Sequence, residues 1–513
     1  MNDGRPYRLA EGVLLVLFLA WLCWLPLPFG SVIERAWLPL IAVPLALCGL
    51  AALIRFDYLR RSAASMITPT AWRFWSAGSA LFVAVIVLQL IPLPPALLRN
   101  VSPHSAILWA GSDRIATLLG ASTSGAHPIS VNPGATLREC FRMLALLATF
   151  HAAALLVRTH ARRIAFAVTL IAAGTFEVLY GINEAALGRY EIWGWKNRLI
   201  FNRVTGTFVN PNHFAHYLAI LVPMAMFLVA NAWHNAAPGA PFGRRMTKLL
   251  ERQLLPFGIG VLGAFGFLAA ILVAQSRGAL LAVFGGIAVM SVIGMQRSRF
   301  FRSSRRRRMA FAFGSVAVSV VAVAALVVFL GRERTIERFT TNDVETTTLV
   351  GRTVGYKTAL GVWKLFPLFG SGAGSFADVA SMAQRESLDK LYNHAHNDYL
   401  EVAATTGFTG IAAALIALIA GFRSVVRITF GDEGEGSFRH RAFQAAALTS
   451  IAMAMVHALF DFNFFIPSNP ATLAAIAGAA VAMRVRSLDP DSTADRVPRH
   501  RVRKVDFDAA DSA

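Results

Sequence analysis

The sequence is dominated by apolar runs of about 20 residues, a length that crosses the hydrocarbon core of a bilayer as a helix. The first run is longer than the apolar part of a signal peptide and lacks a small-residue cleavage site, so we assign it as a membrane helix too. The twelve predicted spans are 10–28, 36–54, 75–92, 138–157, 163–182, 213–233, 256–274, 279–296, 309–330, 404–422, 442–461 and 467–484. This pattern predicts an all-α polytopic membrane protein.

Composition supports the membrane interpretation. Hydrophobic residues make up 56% of the chain and charged residues 15%, whereas soluble proteins carry roughly 25% charged residues. The mean hydropathy is +0.53. A soluble protein of 513 residues would not cover its surface with so few charges. Cys23, Cys48 and Cys140 lie in apolar stretches and form neither a disulfide framework nor a metal motif.

The net charge of +20, from 49 Lys and Arg against 29 Asp and Glu, would suggest nucleic-acid binding in a soluble protein. Here about 31 of the basic residues fall in alternate loops and the tail, as the positive-inside rule predicts for cytoplasmic segments. We therefore expect both termini in the cytoplasm, and we interpret Arg305 to Arg308 as a topology signal rather than a nucleic-acid patch. The segments predicted inside are 1–9, 55–74, 158–163, 234–255, 297–308, 423–441 and the tail from 484.

Three segments on the predicted outer side are long enough to carry chemistry: 93–137, 183–212 and 331–403. The last is a large loop between the ninth and tenth helices, inserted in a membrane domain that spans residues 1–486. Residues 487–513 mix acids and bases with few apolar residues, which predicts a disordered cytoplasmic tail. Part of 93–137 is apolar enough to form an amphipathic helix on the membrane surface.

Four arginines on the outer side are candidates for function, because ionisable groups near a membrane are costly unless they have a role. They are Arg138, Arg203, Arg277 and Arg352. A guanidinium presents a planar fork of donors that fits phosphate oxygens and stays charged in a poorly solvated site. Each could instead extend to lipid headgroups or pair with a loop acid.

The densest polar cluster is HAHNDYLE, which contains His394, His396, Asn397, Asp398 and Glu401 just before the tenth helix. A histidine can accept a proton from a hydroxyl, and a neighbouring carboxylate can orient it. The residues alone leave open which of His394 and His396 would be that base. The alternatives are a polar cap for the tenth helix and a metal site.

A metal site would need further ligands, for which His213 and His216 are candidates. The spacing matches none of the helix-borne zinc motifs, so we expect no metal. His457 and Asp461, four residues apart, are interpreted as a structural pair at the end of the eleventh helix. The glycine-rich FGSGAGSF at 369–376 lacks the Lys-Ser/Thr of a phosphate loop.

Four motifs occur in order from about residue 200 to 420: GTFVNPNHFAHYL, AQSRGALLAVF, GRTVGYKTAL with FPLFGSGAGSF, and HAHNDYLEVAATTGFTG. Together with the twelve-helix pattern and the large outer loop, they closely resemble the O-antigen ligase and polymerase superfamily of bacterial envelope glycan enzymes. The resemblance implies a GT-C-like, metal-independent and inverting glycosyltransferase without a cofactor. It would act at the periplasmic face of the bacterial inner membrane.

By this resemblance the donor is a glycan on undecaprenyl pyrophosphate, and a ligase transfers it whole to a hydroxyl of the lipid A-core oligosaccharide. Arg203, Arg277 and Arg352 match the family's arginines, with Arg138 as a further candidate. His396 matches its loop histidine, which implies that His396 is the general base, with His394 or Asp398 orienting it. Supporting roles are expected for Asn210, Asn212, Asn397 and Glu401.

Three other functions remain open at this point, and one of them is protein O-glycosylation by an oligosaccharyltransferase of the same superfamily. A polymerase of the same superfamily would use the same donor chemistry on another lipid-linked glycan. A transporter or flippase would also have about twelve helices, but its polar residues would be expected near the bilayer midplane, whereas here they cluster in outer loops. The sequence does not fix the donor sugar, the acceptor hydroxyl or the oligomeric state.

Overall fold

The computed structural model describes residues 5–61, 64–67, 70–122, 125–196, 203–237, 240–297, 314, 345–385, 392–430, 438–482 and 484–487, and these residues are mostly helical. Three predictions therefore lie outside the described residues: the ninth span at 309–330, the basic cluster at 305–308 and the tail beyond 487.

Sixteen described α-helices follow one another along the chain. They are α1 (Arg5–Trp24), α2 (Glu34–Arg61), α3 (Thr70–Leu88), α4 (Pro95–Val101), α5 (Pro103–Leu118), α6 (Pro133–Leu156), α7 (His160–Ala186), α8 (Pro211–Asn235), α9 (Phe242–Arg252), α10 (Leu254–Val273), α11 (Arg277–Arg297), α12 (Glu345–Leu365), α13 (Phe376–Ala383), α14 (Asp398–Phe430), α15 (Phe438–His457) and α16 (Ser468–Ala480). Strands β1 (Ala64–Ile67) and β4 (Arg484–Ser487) pair antiparallel, as do β2 (Glu191–Ile192) and β3 (Trp195–Lys196).

Eleven of the twelve predicted spans coincide with described helices. Seven helices are long and apolar enough to cross a membrane: α1, α2, α6, α7, α8, α10 and the first part of α14. The apolar stretches Trp72–Leu88 and Arg277–Ser291 are shorter. The protein is thus a multi-pass, helical membrane protein, while the full set of twelve spans stays a prediction.

Helix α8 forms the centre of the bundle. Apolar residues occur on all sides of this helix, which is typical of a helix buried among others. Helices α7, α10 and α15 pack around it. Phe214, Tyr217 and Phe227 are almost fully buried there. The helix begins at Pro211, where a missing N–H costs nothing, and the side chain of Asn210 caps it.

Polar contacts mark the two ends of the helix bundle. At one end, the buried Glu11 pairs with Arg55, with Arg158 at 2.7 Å and with Arg162 at 3.3 Å. The β1–β4 pair joins the segment after α2 to the segment after α16 at residues 64–67 and 484–487. These contacts bring together segments that the charge pattern assigns to the same side.

Segments assigned to the other side meet at the opposite end. The indole of Trp193 donates to the carbonyl of Leu27 at 2.8 Å, and the backbone of Val131 donates to Ser371 at 2.9 Å. The predicted 331–403 loop is largely ordered where described, because α12 and α13 pack on α14 around Phe366 and Phe376.

The FGSGAGSF segment fills a break in α14. The helix is interrupted at Gly407 (φ 64°, ψ −164°). Because of this break, the carbonyl of Thr405 is available for hydrogen bonds from outside the helix. Gly372 N–H donates to that carbonyl at 3.0 Å, as does the Gln89 amide at 2.8 Å. A Cβ at Gly370 (φ 74°) would collide with the Thr405 backbone. The glycines therefore serve close backbone packing.

Candidate functional site

Asp461 is the centre of a polar network in the segment that follows α15. Its side chain is fully buried, and it accepts hydrogen bonds from the Asn212 amide at 3.1 Å and from its neighbour Phe462 N–H at 3.0 Å. His396 Nδ1 lies 3.2 Å from Oδ1. Because an ionised carboxylate only accepts hydrogen bonds, Nδ1 carries the proton, which leaves Nε2 as the basic nitrogen.

Basic side chains surround this carboxylate. Arg352 Nη2 on α12 lies 3.6 Å from Oδ2, and His213 Nε2 on α8 lies 3.8 Å from Oδ1. Burial raises the pKa of Asp461, but the interactions with His213 and His396 outweigh it and hold that pKa well below its usual range. The carboxylate is therefore charged, and its partners are held in place around it.

Arg203 links the network to the turn between α10 and α11. Its guanidinium donates to the carbonyl of Ala274 at 2.7 and 2.9 Å and to that of Gln275 at 3.1 Å, and thus binds the carbonyl end of α10. Nη2 also donates to Asn212 Oδ1 at 3.3 Å. The predicted arginine is therefore bound to the segment that immediately precedes Arg277. We call Arg203, Asn212, Arg352, His396 and Asp461 the Asp461 network.

A buried acid, Glu177, fixes the loop that carries Arg203. It lies on α7 with no exposed surface and accepts from the backbone N–H of Thr207 at 2.7 Å and from its hydroxyl at 2.9 Å. Sequence reasoning missed this residue. The signal was available, because an acid inside an apolar span is costly and usually has a role.

The loop of His396 is bound to the segment around Asp461. Asn397 donates to the carbonyl of Leu459 at 2.9 Å, and the Asp398 N–H donates to that of Ala458 at 2.9 Å. His396 itself has a positive φ of 54°, a conformation that non-glycine residues rarely adopt and that often occurs at functional sites. Its side chain is 30% exposed.

The structure corrects two of the sequence interpretations. The carboxylate that is hydrogen-bonded to His396 belongs to Asp461. Asp398 instead accepts a hydrogen bond from the backbone N–H of Phe464 at 3.2 Å. α15 ends at His457, so Asp461 does not share a helical face with it. The hydrogen bond from the His457 ring is instead to His216, at 3.0 Å between the Nδ1 atoms.

His394 is turned away from the Asp461 network. Its Nδ1 lies 2.8 Å from the buried Glu401, which also accepts from the N–H of Ala395 at 2.8 Å. Burial lowers the pKa of His394, but the charge and hydrogen bond of Glu401 outweigh it, so the pKa is raised. His394 therefore does not orient His396; it is a second, separately supported histidine.

Two adjoining cavities lie beside His394. The smaller, of about 200 Å³, is lined by polar and aromatic side chains that include Arg138, Glu139 and Arg142. The larger, of about 620 Å³, is mainly apolar and lies between α3, α6, α14, α15 and α16. They share walls at Glu139, Arg142, Gly374 and Phe465.

The structure thus brings Arg203, Asn212, Arg352 and His396 together, with Arg277 at the start of α11 next to the carbonyls that Arg203 binds. Arg138 lines the smaller cavity, whose walls include none of the other three arginines. In the described part of the chain, no group of three or more His, Cys, Asp or Glu side chains is arranged to hold a metal ion.

Comparison with known families gives one match. Residues 262–415 match the family model described as O-Antigen ligase, and this supports the O-antigen ligase and polymerase superfamily, whose members are glycosyltransferase-like enzymes. The match includes Arg277, Arg352 and His396, whereas Arg203, Asn212 and Asp461 lie outside it. A search of curated proteins found no match.

Proposed function

Taking the chain as a member of the O-antigen ligase and polymerase superfamily, we propose that it is an O-antigen ligase. It transfers a whole glycan from undecaprenyl pyrophosphate to a hydroxyl of the lipid A-core oligosaccharide, at the periplasmic face of the inner membrane. The observation that carries this proposal is the His396–Asp461 pair, with a partly exposed imidazole and with Arg352 beside the carboxylate.

His396 acts as the general base. Nε2 takes the proton of the acceptor hydroxyl while the oxygen attacks the anomeric carbon, and the bond from that carbon to the pyrophosphate oxygen breaks. Undecaprenyl pyrophosphate leaves with the electron pair, and the anomeric configuration inverts. The buried charge of Asp461 stabilises the imidazolium that forms, as an orienting carboxylate does in other His–Asp pairs.

The arginines stabilise the leaving group. The donor is already activated, so the enzyme mainly needs fixed positive charge where negative charge grows on the pyrophosphate. Arg277 and Arg352 supply that charge. Arg203 is bound to the carbonyls of Ala274 and Gln275, so its role is to position the turn that carries Arg277.

Arg277→Lys tests whether the guanidinium fork is required. We expect transfer to fall by about a hundredfold, the typical cost of losing one charge-stabilising donor, because an ammonium cannot bind two phosphate oxygens in one plane. The measurement is the initial rate with purified protein, donor and acceptor. Arg99→Lys, on the exposed surface of α4, is the matched control. Equal rates for R277K and wild type would disprove bidentate recognition at this position.

The alternative function is a polymerase of the same superfamily, which joins lipid-linked repeats with the same site. A deletion strain separates the two through its glycolipid profile. Core lipid without attached glycan, together with accumulated undecaprenyl-linked polymer, identifies a ligase; core lipid with one attached repeat identifies a polymerase. Complementation with wild type but not with His396→Ala assigns the phenotype to this site.

A transporter is the less favoured class. The Asp461 network lies at one end of the helix bundle, at the start of α8, in the first half of α12 and after the end of α15. Transporters of many folds instead hold their substrates near the bilayer midplane. An unchanged glycolipid profile in the deletion strain would contradict both enzyme proposals.

A further inference from the structure

Phe462, the residue that follows Asp461, contacts three histidine rings. The ring of His394 stacks on it with centroids 4.2 Å apart and planes 12° apart. The rings of His396 and His213 meet it at 4.9 and 4.7 Å, each with an interplanar angle of 75°. Edge-to-face contacts at such separations are favourable for ring pairs. Phe462 therefore packs against the proposed general base and against the other histidine next to Asp461.

The hydrogen bond to Asp461 fixes one atom of the His396 ring. Nδ1 lies 3.2 Å from Oδ1, and a rotation about this axis would keep that bond while it moves Nε2. The side chain is 30% exposed, and the solvent on that side does not oppose the rotation. A packed neighbour does, because functional side chains keep their orientation when packing locks their rotamers. Phe462 is such a neighbour of the imidazole.

Phe462 is itself fixed by its surroundings. Its backbone N–H donates to Asp461 Oδ1 at 3.0 Å, the same oxygen that His396 approaches. The stacked ring of His394 is bound through Nδ1 to the buried Glu401 at 2.8 Å, and Glu401 also accepts from the backbone beside His394 at 2.8 Å. The contact of the His394–Glu401 pair is thus with the Phe462 ring, which it holds from the stacked face.

We propose that Phe462 is a positioning residue for the transfer reaction, which holds the imidazole of His396 in the orientation that presents Nε2 to the acceptor hydroxyl. This inference rests on the proposed function, because it concerns the orientation of the proposed base. A general base acts only within hydrogen-bond reach of the proton that it takes, and a small misplacement costs much of the rate. Loss of the ring should therefore lower kcat without weakening the binding of either substrate.

Phe462→Leu tests this role, since it removes the flat ring and keeps an apolar side chain. With purified full-length protein, lipid-linked donor and lipid A-core, we expect kcat to fall by about tenfold, within the range for a misplaced catalytic group. The KM of both substrates should stay close to wild type. Phe462→Tyr keeps the ring and should restore most of the rate. Phe465→Leu is the matched control, because the Phe465 ring lies 5.3 Å from that of His394 in the same segment.

A chemical measurement distinguishes failure of this inference from failure of the proposed function. Diethyl pyrocarbonate modifies unprotonated imidazole nitrogens, and mass spectrometry gives the rate at each histidine, with His127 as the internal reference. The rate at His396 should rise severalfold in F462L and stay near wild type in F462Y and F465L. This result supports the positioning role even if the wild type shows no transfer.

Thermal unfolding shows whether F462L is folded, and Phe462→Met, which also lacks a ring, takes its place if it is not. Three results would overturn the role of Phe462: an unchanged kcat in a folded ring-free variant of an active enzyme, a loss of kcat that F465L shares, or an unchanged modification rate at His396.

Discussion

Replacing His396 by Ala is expected to reduce transfer by about a hundredfold or more, which is within the range for loss of a general base. Among the described side chains, His396 is the partly exposed imidazole that is hydrogen-bonded to the buried Asp461. The protein should still reach the membrane in normal amount, because the imidazole is partly exposed and the hydrogen bonds of Asn397 and Asp398 that hold the loop do not involve it. The measurement is the initial rate of transfer, normalised to protein in the membrane fraction.

His127→Ala is the matched control for this variant. His127 also pairs with a carboxylate, Asp113 at 2.8 Å, and stacks on an aromatic ring, that of Trp109 at 4.5 Å. It lies in the segment 93–137, away from the Asp461 network. The His127 variant should keep transfer close to wild type. A His396→Ala protein that transfers at the wild-type rate would end the assignment of His396 as the base.

Asp461→Asn should have an effect of similar size, a loss of transfer of about a hundredfold or more, because the carboxylate and the histidine act together in general-base catalysis. The amide keeps the shape of the side chain but removes the charge that stabilises an imidazolium. With an amide at position 461, the proton of His396 is no longer required to be on Nδ1. Arg352, which lies 3.6 Å from the Asp461 carboxylate, loses its counter-charge. The rate should fall with little change in the KM of either substrate.

Asp113→Asn tests the specificity of that result, since it makes the same change in a His–carboxylate pair outside the network. Its rate should remain near that of wild type. Thermal unfolding of both variants shows whether they are folded. If a folded Asp461→Asn protein keeps full activity, Asp461 has a purely structural role and the proposed mechanism needs a different partner for His396.

Most of the helical architecture could be predicted from the sequence. In a bilayer an unpaired backbone polar group is costly, so a long apolar run has few alternatives to a helix. This is why eleven of the twelve spans coincide with described helices. Their ends were less predictable: α14 begins at Asp398, not near 404, because Asp398 and Glu401 are buried by contacts with other segments.

The candidate site could be predicted only in part. The sequence indicates Arg203, Arg277, Arg352 and His396 as candidates, because ionisable groups in or beside a membrane are costly unless they have a role. Asp461 was interpreted as a structural partner of His457. It lies 65 residues from His396 and 249 from Asn212, so no local spacing indicates that the three meet.

The sequence by itself determined which segments form long apolar helices, and its charges predict the side on which each loop lies. Desolvation of the backbone and of charged groups acts on each segment separately. Only the tertiary structure decided which polar groups share a site. The packing of α8, α11, α12 and α15 places Asp461 against His396 and assigns Arg203 to the carbonyl end of α10. It also puts His394 and Arg138 at a separate cavity. Those partnerships arise from contacts between distant segments.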